Sequence, residues 1–482
     1  MTFTKKSLGL SFVTQYLELM IHFLGVLVLA RVLSPHDIGI YSVAAFLMAL
    51  LHVFRDFGVA NYIIQEHDLT TEKLQAAIGV AIILAWTVAL VLLASSRLIA
   101  NLYQTPEIEN LLIIMSASFA ISPLSSVLAA VLRREMKFKA ILYVKVGSAL
   151  SHVAVAIPLA LSGYGASSLA WANFAGILSF GLLVNILKPK GLPWRPRFTG
   201  IREVLSYGSI SSAGSVASVA GTNAPDVIIG KVMSMAAAGY FSRANGLIQL
   251  FRTLVTGAVM PLILPYFAQI KRKNGDINKP YHQAMELLIV ISWPFFGVLG
   301  FLASPVVRTL YGPQWDASVP LVQVLCMAGA ISSMYLFAGE VMLASGHVRR
   351  VTATQIASNA VRIIAVLLAS AWGLMAIATV IIGAECAALA LYSYFLRKTT
   401  GIGFVQVLRG TGKSAIVTLT SLLAPFTIFL IWENTFQNPG LPLLLGLSGA
   451  CAGWLIGVLV TNHPVKPHLQ QLCQNALKGP RP

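Results

Sequence analysis

Acidic residues are scarce. The 482 residues include only 17 Asp and Glu, and charged residues of either sign make up 11%, against roughly 25% in a soluble protein. Hydrophobic residues reach 57% and fall in charge-poor blocks of about 20, the length that spans a bilayer core at 1.5 Å per residue. These two features exclude a water-soluble fold and imply a polytopic helical membrane protein. Cysteine is sparse as well. Cys326, Cys386, Cys451 and Cys473 stand singly in or just beyond apolar segments, without the paired spacing of a zinc or redox motif, so neither a metal site nor a disulfide is expected. Long polar loops are missing, and no pair of acidic residues sits in a long outer loop, which argues against a membrane polymerase or ligase and leaves no candidate catalytic residue. MTFTKK runs straight into an apolar segment with no small-residue cleavage site behind it, so the first segment is expected to stay as a helix.

Against the 17 acids stand 34 Lys and Arg, and their placement carries more information than their sum. Hydropathy windows give about fourteen spans, from Leu8 to Ala30 through Leu441 to Val460, six of them before residue 190. With the N-terminus inside, 25 Lys and Arg fall in cytoplasmic loops and only Arg31, Arg97, Lys231 and Arg308 on the other side. Loops rich in Lys and Arg stay cytoplasmic, so both termini are expected there, and the positive charge calls for no nucleic-acid partner. The remaining cations, Arg55, Lys145, Arg243, Arg252 and Arg362, lie within spans. Each would cost about 2.5–3.5 kcal/mol at mid-helix against lipid, so most must face a wet or paired interior.

The chain repeats itself at an offset of 200 residues. In ARVLSPHDIGIYSVAAFLMAL (30–50) and GKVMSMAAAGYFSRANGLIQL (230–250), Val32, Ser34, Gly39, Ser42, Ala44, Leu47 and Leu50 recur as Val232, Ser234, Gly239, Ser242, Ala244, Leu247 and Leu250 without a gap. NLYQTPEIENLL (101–112) is echoed more weakly by TLYGPQWDASVP (309–320). Six spans separate the copies, so the expected fold is all-α: a six-helix lobe with its linker over 1–200, a second six-helix lobe over 201–400, and two further transmembrane helices with a tail over 401–482. Parallel repeats of this kind mark transporters with a site between the halves. Rocking of the lobes would part and rejoin the outer ends near Ser34–Gly39 and Ser234–Gly239.

Among the motifs, GTGKS (410–414) resembles a phosphate loop, but the motif's first glycine falls on Val407 and no strand precedes it, so Lys413 reads as an interfacial anchor. Gly449, Gly453 and Gly457 stand four apart, a face for close helix packing or simple glycine enrichment. Arg55 and Asp56 are adjacent in the second span and point about 100° apart on a helix, toward different partners. Arg252 occupies the repeat position of His52, so each lobe offers a basic group at one height, as a jointly held anion requires. Arg243 opens the eighth span. Asp226 is a candidate counter-ion for Lys231 or a coupling-ion ligand, and Glu18 shares a face of the first span with His22.

The stretch LARVLSPHDIGIYSVAAFL…FRDFGVANYIIQ, followed by LRREMKFKA, PDVIIGKVMSMAAAGYFSRANGLIQL and VRTLYGPQWDASVPLVQVL, resembles the Wzx-type polysaccharide exporters, particularly the colanic-acid-exporter branch. The resemblance covers nearly the whole chain. It implies the multidrug/oligosaccharidyl-lipid/polysaccharide exporter fold and a non-enzymatic function: flipping an undecaprenyl-pyrophosphate-linked oligosaccharide across the bacterial inner membrane by alternating access, alongside the polysaccharide polymerase and assembly machinery. In the related lipid II flippases arginines line a cationic lumen, and Arg31, Arg55 and Arg252 stand at the matching places here; with Arg243 they are the expected substrate-binding groups. Asp56, Asp226 and Glu18 are the candidate coupling or counter-ion acids, for H+ or Na+. The alternatives are a cation-coupled multidrug exporter of the same superfamily, which would carry acidic lumen groups, and a membrane polysaccharide polymerase or ligase.

Overall fold

A computed structural model describes residues 2–56, 59–188, 196–199, 201–273, 275–435 and 438–477; most of the expected linker, 188–200, therefore lies outside the described residues. All regular structure among these residues is helical: α1 Thr2–Val32, α2 Pro35–Asp56, α3 Val59–Gln65, α4 Thr71–Tyr103, α5 Glu107–Ile121, α6 Pro123–Arg134, α7 Phe138–Leu161, α8 Ala166–Leu187, α9 Ile201–Val232, α10 Met235–Arg272, α11 Asn278–Phe301, α12 Ala303–Leu310, α13 Val319–Ser333, α14 Ala338–Ala344, α15 Val348–Ala369, α16 Leu374–Thr400, α17 Phe404–Gly410, α18 Gly412–Thr435, α19 Gly440–Val460 and α20 Lys466–Leu477. Among the described residues eleven helices are long and apolar enough to cross a membrane, or up to thirteen if each of two bent pairs is one span. Large apolar side chains such as Leu90, Leu98, Ile186 and Val460 remain outward-facing, as lipid-facing helices require.

The contacts divide the chain into two compact units, Met1–Ser242 and Arg243–Pro482. Within the first, Ile40, Val43 and Ala44 of α2 pack with Leu111, Met115 and Phe119 of α5 and Ala170 of α8. Expected spans are not all continuous. The fourth divides into α5 and a segment from Ser125, bent by 48°, and α10 bends by 46° between Gly257 and Leu262. The span ending at Ala344 breaks into α13 and α14, with a turn over residues 334–337.

The repeated residues have a structural cause. Ser34 caps α2: its Oγ accepts from the Asp37 amide at 3.2 Å, and Asp37 Oδ2 accepts in return from the Ser34 amide at 3.1 Å and hydroxyl at 2.6 Å. This is the reciprocal capping arrangement. Ser234 repeats one half of it at α10, where its Oγ accepts from the Ala237 amide at 3.1 Å. One turn further in, Gly39 and Gly239 bring the helices together backbone to backbone: a Cβ on Gly39 would overlap the Met235 carbonyl, and one on Gly239 the Pro35 carbonyl. The ends that rocking is expected to part and rejoin are thus joined here.

In the second unit the glycine face of α19 is a packing face. A Cβ on Gly453 would overlap the Thr420 carbonyl of α18, and one on Gly457 the Thr420 hydroxyl. GTGKS is the α17–α18 junction. Lys413 donates to the Asn462 carbonyl at 3.3 Å, and buried Ser414 bonds His463 Nε2 at 3.0 Å. The Val465 amide donates to His463 Nδ1 at 3.2 Å, so Nδ1 is the acceptor and Nε2 carries the proton to Ser414. Burial, and secondarily the Lys413 charge, push the His463 pKa below its ordinary value. A base whose folded pKa is depressed stabilises the native state fully above its unfolded pKa of about 6.5, and that contribution is lost as pH falls below it. Acidification from neutral pH toward 5 should therefore lower the thermal midpoint of the wild-type protein in detergent more than that of His463→Gln; equal slopes would show that this histidine does not carry the effect.

Candidate functional site

The N-terminal unit contains a cavity of about 380 Å³ enclosed by α1, α2, α3, α6, α7 and α8. Its basic groups are Arg55, Arg133, His22, His52 and His152, with serines and Asn173 completing the polar wall. No carboxylate lines it among the described residues. Each basic group is set by a helix contact. The Arg55 guanidinium sits 5.8 Å from the centroid of Phe119, whose other neighbour is His52, with centroids 4.8 Å apart. The rings of His22 and His152 meet edge to face at 5.3 Å, across α1 and α7. Asn173 Oδ1 is buried with no hydrogen-bond partner among the described residues, and such an orphaned atom in a wet cavity is available to a ligand hydroxyl or amide.

Two described acids of the same unit are engaged elsewhere. Glu18 accepts from Lys145 Nζ at 2.7 Å. Glu66 accepts from Lys73 Nζ at 2.7 Å, and that hydrogen bond holds its carboxyl below the usual carboxylate range. The basic run LRREMKFKA divides its labour: Arg133 lines the cavity, whereas Arg134 donates to the Ile63 and Glu66 carbonyls at 2.7 and 2.5 Å, tying down the end of α3. A pocket with two guanidiniums, three imidazoles and no carboxylate on its described wall suits an anion.

The other expected site residues lie elsewhere. Arg31 is exposed in the last turn of α1, and the length of α2 separates it from Arg55 by about 30 Å at 1.5 Å per residue; it does not line this cavity. Asp56 closes α2, and its side chain lies outside the described residues. Asp226 is buried in α9 with Oδ1 unpartnered among the described residues, while Lys231, expected to pair with it, donates instead to the Leu102 carbonyl. In the C-terminal unit the Arg243 guanidinium is held between aromatic faces, 5.7 Å from the centroid of Tyr311 and 5.5 Å from that of Trp315. Arg252 is exposed on α10. Sequence reading missed Arg133, His152 and Asn173 as cavity residues. The lone polar residue inside an apolar run, His152 in SHVAV and Asn173 in WANFAG, was the available signal.

The fold is shared with solved transporters. It matches lipid II flippase MurJ in an inward closed conformation with a TM-score of 0.77 over 93% of this chain and 97% of that one, at 15% identity. It also matches an inward-facing multidrug resistance MATE family transporter of the MOP superfamily with a TM-score of 0.61 over 83% and 95%, at 13% identity. These two matches define the fold as one shared with those membrane proteins. Residues 28–320 match the family described as polysaccharide biosynthesis protein, and the chain belongs to that family. It is similar to the lipopolysaccharide biosynthesis protein WzxC of Escherichia coli, 22% identical over 67% of this chain and 66% of the relative, and to the succinoglycan biosynthesis transport protein ExoT of Rhizobium meliloti, 27% identical over 64% and 63%. The matched stretches span just under two thirds of these relatives' length.

Proposed function

We propose that this protein is a flippase that carries an undecaprenyl-pyrophosphate-linked oligosaccharide across the bacterial cytoplasmic membrane for surface polysaccharide synthesis, by alternating access and without bond chemistry. The observation that carries the reading is the N-terminal cavity, where Arg55, Arg133 and three histidines meet with no described carboxylate. A diphosphate head must cross about 30 Å of hydrocarbon, and a guanidinium offers it a bidentate fork that keeps its charge throughout. The isoprenoid tail stays in the lipid. The names of the relatives, which concern lipopolysaccharide and succinoglycan assembly, support a glycan cargo. Reconstituted into liposomes with lipid-linked oligosaccharide in one leaflet, the purified protein should expose the glycan to an impermeant lectin on the other. Glycan that stays protected at high protein density would sink the reading.

The lobes we assign by the repeat are 1–200 and 201–400, with 401–482 appended, and Arg55 and Arg252 are their anion-binding groups. The driving ion is H+ or Na+, for which the buried Asp226 is the proposed acid, and the polysaccharide polymerase and its assembly machinery are the proposed partners. The multidrug reading draws support from the MATE fold, but a cation-lined cavity repels the cationic drugs it requires. Ethidium uptake by the same liposomes separates the two. The Lys and Arg asymmetry puts both termini and the 133–139 loop in the cytoplasm, so a single cysteine at Lys137 should resist an impermeant thiol reagent in intact cells and react after permeabilisation. Labelling in intact cells would invert the topology.

A further inference from the structure

The C-terminal unit holds a second charged cluster, beyond the stretch that matches the family. Arg362 of α15 and Glu385 of α16 form an ion pair whose side chains are 17% and 5% exposed. The other Glu385 oxygen accepts from the Tyr335 hydroxyl. Tyr335 stacks on Tyr392, with centroids 4.8 Å apart and planes 14° from parallel. Tyr335 also sits in the turn between α13 and α14.

A buried guanidinium needs an anion at all times, because an unpaired charge out of water costs several kcal/mol. Carboxylate and phosphate satisfy the same two-pronged geometry. The groups that grip Glu385, a guanidinium and a phenol hydroxyl, are therefore donors that a phosphate would use equally well. We propose that Arg362 and Tyr335 form a second diphosphate subsite in the C-terminal unit, occupied at rest by the protein's own Glu385 and opened when the cargo's diphosphate displaces that carboxylate. Glu385 is then a resident stand-in for the cargo, keeping the subsite paired between turnovers. The inference rests on the flippase reading and adds a specific carboxylate-for-phosphate exchange to it.

Inorganic pyrophosphate is the probe, titrated calorimetrically into the full-length protein in zwitterionic nanodiscs. Glu385→Gln removes the competing charge and should tighten pyrophosphate binding by about 10-fold or more, the equivalent of one charged hydrogen bond. Glu385→Asp keeps the charge, and so the fold, but shortens the reach, and should tighten it by about 3-fold on the same scale. Arg362→Lys keeps the ion pair but loses the fork and should weaken it. A merely structural ion pair predicts changed thermal midpoints with unchanged pyrophosphate affinity in both the Asp and Lys variants, and that result overturns the proposal. So does competition by phosphatidylglycerol placed in the nanodisc, which would assign the subsite to a lipid headgroup. Failure of the flippase reading is seen separately, in the lectin assay on wild-type protein, which does not depend on Glu385.

Discussion

Replacing Arg55 with alanine should abolish glycan export in cells that rely on this protein, while its abundance in the membrane stays at the wild-type level. The guanidinium lines the basic cavity and lies over the ring of Phe119. Its removal should therefore cost cargo binding far more than folding. A hydrogen bond to a charged group is worth about 1.5–3 kcal/mol, so the loss corresponds to about 10- to 100-fold in affinity per contact, and two contacts from one fork multiply. Arg55→Lys keeps the charge but not the bidentate geometry and should export at an intermediate rate. Arg252→Ala, at an exposed position on α10, should behave as Arg55→Ala does. Arg31→Ala, about 30 Å from Arg55 along the α1–α2 hairpin, should have a much smaller effect. Extracellular polysaccharide measured against immunoblotted protein checks all four, and normal export by both the Arg55 and Arg252 alanine variants would put the anion site elsewhere.

Gly39→Val and Gly239→Val should each remove export and lower the thermal midpoint. At both positions a Cβ overlaps a carbonyl of the facing helix, Met235 in one case and Pro35 in the other, and backbone cannot swing aside as a side-chain end can. Overpacking costs about 1–3 kcal/mol even where side chains yield, so the larger value or more applies here, and the first turns of α2 and α10 must part. Even alanine should be harmful at these two sites, whereas Gly246→Ala, with open space around it on the same α10 helix, should be neutral. A Gly39→Val protein with an unshifted midpoint and normal export would mean that the close approach plays no part in the native state.

Several parts of this structure were legible before any coordinates. The 200-residue offset picked out Ser34 with Ser234 and Gly39 with Gly239, and these turned out to be helix caps and a backbone crossing, two features that depend on residue type at a fixed place and so leave a sequence trace. The glycines of α19 were legible for the same reason. Breaks within the spans were not, because the apolar run continues through residues 121–125 and 257–262, and hydropathy is blind to a change of helix direction. Arg134 and Arg133 look alike in LRREMKFKA, yet one ties down α3 and the other lines the cavity. Neighbours on a helix diverge by about 100°, and only the helices around them tell which direction is inward.

What the sequence determined by itself is the solvent the chain lives in. It follows from transfer free energies that sum residue by residue: an 11% charged chain with apolar blocks of membrane length must be buried in lipid, and the clustering of its cations carries the expectation for its orientation. The tertiary structure alone decided which ionisable groups are already paired. Glu18 with Lys145 and Glu385 with Arg362 join residues 127 and 23 positions apart, on helices whose contact no local pattern announces. A charge inside the membrane must find a partner, but the partner is chosen by helix packing, and packing is a property of many residues at once.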